Sequence, residues 1–198
     1  STALADASAL AKANAINAVQ GVTGVTATAE AAVLTGVAPI GALTLDGAAT
    51  SLSINGVNLG NVTVEAGDAT GNLVARINMV TIQTGVTASQ AVTGELVLTA
   101  ADGRNIEILS TGGAAATLGL TSGADSVVQT GRVTLSSNGD IAVGGIAALI
   151  GFDAGQAFTA VDTAWALTNI SVATAEDAQK AIESVDAALK TLLATRAQ

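Results

Sequence analysis

The side chains able to do chemistry in this sequence are a short list: 16 Asp and Glu, 7 Lys and Arg, no His and no Cys among 198 residues. Without imidazole or thiol there is no Ser-His or Cys-His nucleophile, no His general base, no zinc cluster and no disulfide. What survives is carboxylate or lysine chemistry, and its spacing is unhelpful. Asn138-Gly139-Asp140 lacks the D-x-[DN]-x-[DN]-G ligand run of a calcium loop and reads as a turn. Asp46-Gly47, Asn55-Gly56 and Asp102-Gly103 read the same way. Glu95 and Glu107 fall on two strands expected to pair, where a solvated face explains them better than a glycosidase dyad. Gly112-Gly113 and Gly144-Gly145 have neither the lysine nor the following helix of a phosphate loop. Arg76 and Arg104 are expected in structural salt bridges, and the lone Trp165 as a packing residue. No residue qualifies as catalytic, cofactor-binding or metal-ligating, so no enzyme activity and no cofactor are expected.

Charge narrows the partners. The net charge is −9, and Lys12, Arg76, Arg104 and Arg132 are far apart, so no basic patch exists to neutralise a phosphate backbone. Nucleic acid is excluded. Residues 141–152 form an apolar-leaning run between Asp140 and Asp153, too short for the roughly 20 residues of a membrane span. Membrane insertion is not expected, and the opening residues show no signal-peptide pattern.

The elements follow from periodicity. Hydrophobic residues make up 49% of the chain and aromatics only 2%, which predicts a core of small aliphatic side chains. Residues 4–19 have helical spacing, with Gly21 as a stop, and 24–30 alternate as a strand. Pro39 marks a loop. From there β character dominates: 43–45, 51–54 and 57–59 around Asn55-Gly56, and 62–65. Residues 68–79 return to helical spacing, 85–88 to strand, and 95–99 with 105–108 form a second hairpin about Asp102-Gly103. Strands are expected at 129–135 and 141–143, and mixed loop and short elements over 144–167.

One pattern occurs twice. Ile16-Asn17 precedes Gly24-Val25-Thr26-Ala27 by the same interval that separates Ile77-Asn78 from Gly85-Val86-Thr87-Ala88. Ile closes the buried helix face, Asn tolerates the helix exit, and Gly permits the turn into a strand. This is the signature of a duplicated helix-to-strand unit.

The final segment has its own logic. Thr174 and Asp177 have the spacing of a capping box, with acids in the first turn to suit the helix dipole. Ala178, Ile182, Val185, Leu189 and Leu192 then recur at alternating four- and three-residue steps, and Glu176 with Lys180 and Asp186 with Lys190 add i,i+4 pairs. An apolar stripe of this kind needs a partner helix. The fold class is therefore α+β: β-hairpins and short helices, followed by a long C-terminal amphipathic helix.

Residues 172–189 resemble the stretch of bacterial flagellin where the chain re-enters the filament core as a long helix. Leu52-Ser53-Ile54-Asn55-Gly56-Val57, Ile77-Asn78, Gly85-Val86-Thr87-Ala88 and Leu96-Val97-Leu98-Thr99 are similar to the IN motif of flagellins, found also in filament-cap and hook-associated proteins. The resemblance implies that 1–170 form one or two surface-exposed outer domains and that 171–198 begin the core helix. Ile182, Val185, Leu189 and Leu192 would then carry core packing, beneath the Thr174–Asp177 cap. It further implies a structural subunit of the flagellum outside the cell, other flagellin subunits as partners, and surface Ser and Thr as acceptors of O-linked sugar. The alternative is a cap or hook-associated protein or an adhesin-like binding module.

Overall fold

The computed structural model describes residues 5–137, 141, 172–174, 177–179, 181, 182, 185, 186 and 189. The chain divides into two compact units, Ser1–Val19 with Thr26–Leu135, and Gln20–Val25 with Ser136–Gln198. The described fold is mixed α and β, with short helices and antiparallel sheets.

In the first unit a 3-10 turn (Ala5–Ala7) leads to α1 (Ala9–Ala18), whose N-cap Ser8 accepts the Ala11 N–H. The helix therefore starts later than its Ala-rich spacing suggests. Gly21 does not stop the helical path: Gly21 lies within α2 (Gln20–Thr23), in the stretch that belongs to the second unit, and the path ends at Gly24, whose φ of 68° a side chain would resist. Strand β1 (Val25–Ala29) pairs with β11 (Val133–Ser137).

Pro39 is not in a loop. It closes β2 (Ala32–Pro39), an edge strand, where its missing N–H costs no ladder bond. The register of β2 on β8 (Glu95–Ala100) shifts between Thr35 and Pro39, and there the Val37 N–H bonds to the Gly119 carbonyl instead. Strand β7 (Thr87–Gln90) completes this sheet on the other side of β8.

The Asn55-Gly56 hairpin is present. Asn55 and Gly56 have φ of 50° and 79°, both positive as a type I′ turn requires, and β4 (Ser51–Ile54) pairs with β5 (Val57–Asn58) across them. The other two Asp-Gly turns do not join paired strands. β3 (Leu43–Asp46) pairs with β6 (Asn61–Val64), because Leu45, Val62 and Val64 can then all face the core. The expected hairpin about Asp102-Gly103 is overturned: β8 joins β2 and β7, while β9 (Ile106–Thr111) joins β4 and β10 (Ser126–Gln129). Glu95 and Glu107 consequently stand in different sheets. A second 3-10 turn (Ala66–Asp68) and helices α3 (Asn72–Met79), α4 (Thr81–Thr84) and α5 (Ala114–Thr117) complete the described elements of the first unit.

Among the described residues the core is aliphatic. Leu45, Leu52, Ile54, Leu59, Leu73, Ile77, Leu96, Leu98, Ile106, Ile108 and Leu118 are fully buried in one cluster. Strand β8 alternates half-buried and buried positions along its length, with Leu96, Leu98 and Ala100 inward.

In the second unit, Ala181 is buried and the described positions of 177–189 are helical. The long C-terminal amphipathic helix is not shown, since most of 171–198, including Leu192, lies outside the described residues. The Asn138-Gly139-Asp140 turn, Gly144-Gly145 and Trp165 also lie outside them, as does all of the expected 141–143 strand except Ile141.

Candidate functional site

The duplicated unit is the most specific local construction in the described residues. Helix α3 is started by Asp68, a buried carboxylate at φ 46° whose two oxygens accept the N–H groups of Leu73 (3.0 Å) and Val74 (3.0 Å). A negative charge at that end also suits the helix dipole. The chain then passes through α4 to Gly85, at φ 72°, and enters β7.

Asn78 closes this path. Its Nδ2 donates to the Ala88 carbonyl (3.0 Å) and its Oδ1 accepts the Ala88 N–H (2.7 Å), so one amide side chain satisfies both backbone groups of a strand residue. Asn17 does the same to Ala27, at 2.8 and 2.7 Å. The surrounding bonds correspond as well. The Val19 N–H bonds to the Ile16 carbonyl as Val80 does to Ile77, and Gly24 to Gln20 as Gly85 does to Thr81. Thr23 Oγ1 accepts the Val25 N–H (3.2 Å) as Thr84 Oγ1 accepts that of Val86 (3.1 Å). The repeat read from the sequence is thus a repeat of hydrogen-bond geometry, and Asn is needed because only a planar amide offers a donor and an acceptor side by side.

The later copy is locked by a second, buried asparagine. Asn55, in the hairpin turn, donates from Nδ2 to the carbonyls of Thr84 (2.8 Å) and Asn105 (3.1 Å), and its Oδ1 accepts the Glu107 N–H (2.8 Å). The turn of β4–β5, the end of α4 and the start of β9 therefore meet on one side chain. The Asn-Gly signal marks this residue as a turn former, and nothing in its immediate neighbours tells that its amide is buried.

The charged groups nearby are structural. Arg104 pairs with Asp102 at 2.7 Å, both about a third exposed, and its Nη1 reaches the Thr84 carbonyl (3.4 Å). The guanidinium hydrogen bond holds the Asp102 carboxyl below its ordinary range, and Asp102 in turn raises Arg104. Asp46 is lowered by the backbone N–H groups of Thr50 and Ala48, which turn the chain after β3. Arg76 forms no salt bridge among the described residues: its Nε donates to the Leu59 carbonyl, tying α3 to the strands ahead of it. Among the described residues no cluster of three or more Asp or Glu could hold a metal ion. The amide and carboxylate groups named here are engaged with backbone or with Arg104, an arrangement suited to holding a shape.

The expected helix residues stand as follows. Thr174 Oγ1 accepts the Asp177 N–H (3.1 Å), and the Ala178 N–H bonds to the Thr174 carbonyl (2.9 Å). Ile182 is 65% exposed, Val185 49% and Leu189 51%, three apolar side chains in water.

Residues 51–102, spanning the Asn55 turn, the Asn78 clamp and strands β4 to β8, match the family model for the flagellin hook IN motif. The chain carries a flagellin motif. Its Ile77-Asn78 pair lies near the middle of the matched stretch. Flagellin A of Helicobacter pylori is 46% identical over 63 residues, 31% of this chain and 12% of that protein. Flagellin A of Helicobacter felis is 44% identical over 63 residues, and that of Helicobacter mustelae 49% over 57. The matched stretch covers only 12% of the length of these flagellins. The resemblance to the flagellin IN motif that the sequence suggested is thereby shown over residues 51–102.

Proposed function

We propose that this chain is the outer, surface-exposed part of a structural subunit of the bacterial flagellar filament, acting in motility and without catalysis. The observation that carries the reading is the flagellin IN motif at 51–102, built on an amide clamp whose hydrogen bonds are spent on the backbone. The flagellin A relatives support it. Residues 1–170 are the outer domains, and 171–198 begin the helix that returns to the filament core. Its partners are other flagellin subunits, its location is the extracellular flagellum, and exposed Ser and Thr accept O-linked sugar. Among the described residues no helix is long and apolar enough to cross a membrane.

The exposed Ile182, Val185 and Leu189, with Leu192, pack against core helices in the filament, beneath the Thr174–Asp177 cap. Burying a Leu side chain is worth about 1.5–3 kcal/mol, and a charge in its place would oppose assembly. Leu189→Asp in the parent protein is therefore expected to shorten or abolish filaments in electron micrographs and to reduce swarming. An Asp46→Asn control should not. Filaments of normal length from Leu189→Asp would refute the role.

The motif matched at 51–102 is named for the hook, so a cap or hook-associated subunit is the second reading. Immunogold labelling separates the two: label along the whole filament supports a filament subunit, and label confined to its tip or base supports the alternative.

A further inference from the structure

Strand β7 is an edge of its sheet, since the strand order is β2-β8-β7. An edge strand offers a row of unpaired N–H and C=O groups on which another chain can add a strand. The usual deterrents stand on the far edge, where β2 ends in Pro39 and gives the Val37 N–H to the Gly119 carbonyl. They are missing from β7, since Thr87-Ala88-Ser89-Gln90 has no charge and no proline. Its open side is nevertheless taken. The Ala91 N–H bonds to the Glu95 carbonyl, so by alternation the backbone of Thr87 and Ser89 faces β8 and that of Val86, Ala88 and Gln90 faces outward. Thr84 Oγ1 accepts the Val86 N–H and Thr81 Oγ1 donates to the Val86 carbonyl (2.9 Å), while Asn78 holds both groups of Ala88. The outward groups of Val86 and Ala88 are thus all met by side chains. Asn78, Met79 and Ile82 are exposed, so this edge borders solvent. Strand β1 is closed likewise: the Glu30 N–H bonds to the Arg132 carbonyl on the β11 side, and Asn17 holds the opposite edge at Ala27.

We propose that this arrangement is an edge guard: the side chains of Asn78, Thr81 and Thr84 stand in for a neighbouring strand along β7 and keep a second copy of the chain from pairing there. The inference goes beyond the flagellar reading and does not rest on it. A carboxamide presents the donor and acceptor of a peptide group without a continuing chain. It therefore fills the sites a partner strand needs and offers no further edge for growth. The partner excluded is the same strand of another copy. Two β7 strands running antiparallel about a two-fold axis would match the outward donors of each to the acceptors of the other.

Self-association of the 198-residue chain, followed by sedimentation velocity over a concentration series, tests this. Asn78→Ala should associate at least about tenfold more tightly than the wild type, because each copy then finds strand partners for Ala88 in the other. Its Ala88 amide should exchange quickly when dilute and become protected as the dimer fills. Adding Ser89→Lys, an edge lysine at an exposed position, should return Asn78→Ala to wild-type association, although it moves the net charge of −9 one unit toward zero. Leu52→Ala, which weakens the core from another sheet, should not associate beyond the wild type, and circular dichroism checks that each variant folds. If Asn78→Ala does not fold, Asn17→Ala, which opens β1 at Ala27, is read in the same way with Ala27 as the reporting amide. Wild-type association by the opened variant would overturn the proposal. So would equal association by Leu52→Ala, association that Ser89→Lys leaves in place, or a dimer whose Ala88 amide still exchanges freely.

Discussion

Replacing Asn78 with Ala tests the clamp that defines the IN motif. The substitution removes two hydrogen bonds, of 3.0 and 2.7 Å, and strips both partners from the backbone of Ala88, a residue 8% exposed. A typical intramolecular hydrogen bond contributes about 1 kcal/mol net, and a buried group left unsatisfied costs about 1–3 kcal/mol. Water reaches part of this site, so the lower end applies, and the expected loss is about 2–3 kcal/mol. That corresponds to a urea midpoint lowered by about 1 M with an unchanged slope, read by far-ultraviolet circular dichroism. The Ala88 amide should lose hydrogen-exchange protection first, since its own acceptor has gone. Asn72→Ala, which removes one exposed bond of 3.2 Å to Thr63, is the control and should fall within about 0.5 kcal/mol of the wild type. Asn78→Asp keeps the acceptor but turns a second, charged oxygen toward the Ala88 carbonyl, and should not rescue. An Asn78→Ala protein as stable as the Asn72→Ala control would refute the idea that the clamp, and not the surrounding apolar burial, fixes the helix-to-strand turn.

Two further outcomes follow from the same geometry. Gly119 has φ 72°, and a Cβ there would lie 2.0 Å from the Ala38 carbonyl, where β2 bonds to it; Gly113 has φ 70° and open space around it. Gly113→Ala should therefore cost only the backbone term of about 1 kcal/mol, while Gly119→Ala should lower the melting temperature far more or prevent folding. Asp102 and Asp46 both have folded-state pKa values below the ordinary 3.8. Their stabilising contribution is present above that value and is lost as pH falls through the lowered folded value. An acid titration of stability should thus steepen below about pH 4, and Asp102→Asn should flatten it slightly, by no more than about 1 kcal/mol for so exposed a pair.

Local chemistry was legible in the residues themselves. The Asn55-Gly56 hairpin, the helix through Ile77-Asn78 and the duplicated Ile-Asn and Gly-Val-Thr-Ala segments all depend on neighbours within a few positions, and each stands in the structure. Among the described residues the core is aliphatic too, in keeping with a chain of 2% aromatics. Strand partners were not legible. Asp102-Gly103 lets the chain reverse, yet β8 and β9 part into different sheets, and β4 finds its other partner at Ser51↔Thr111, far along the sequence. A turn residue sets only the backbone angles it can adopt. Which strands then pair depends on which faces can be buried together, and that is decided by the whole set of elements at once. The same reason hid Asn55: its amide became a buried junction only when α4 and β9 arrived on either side of it.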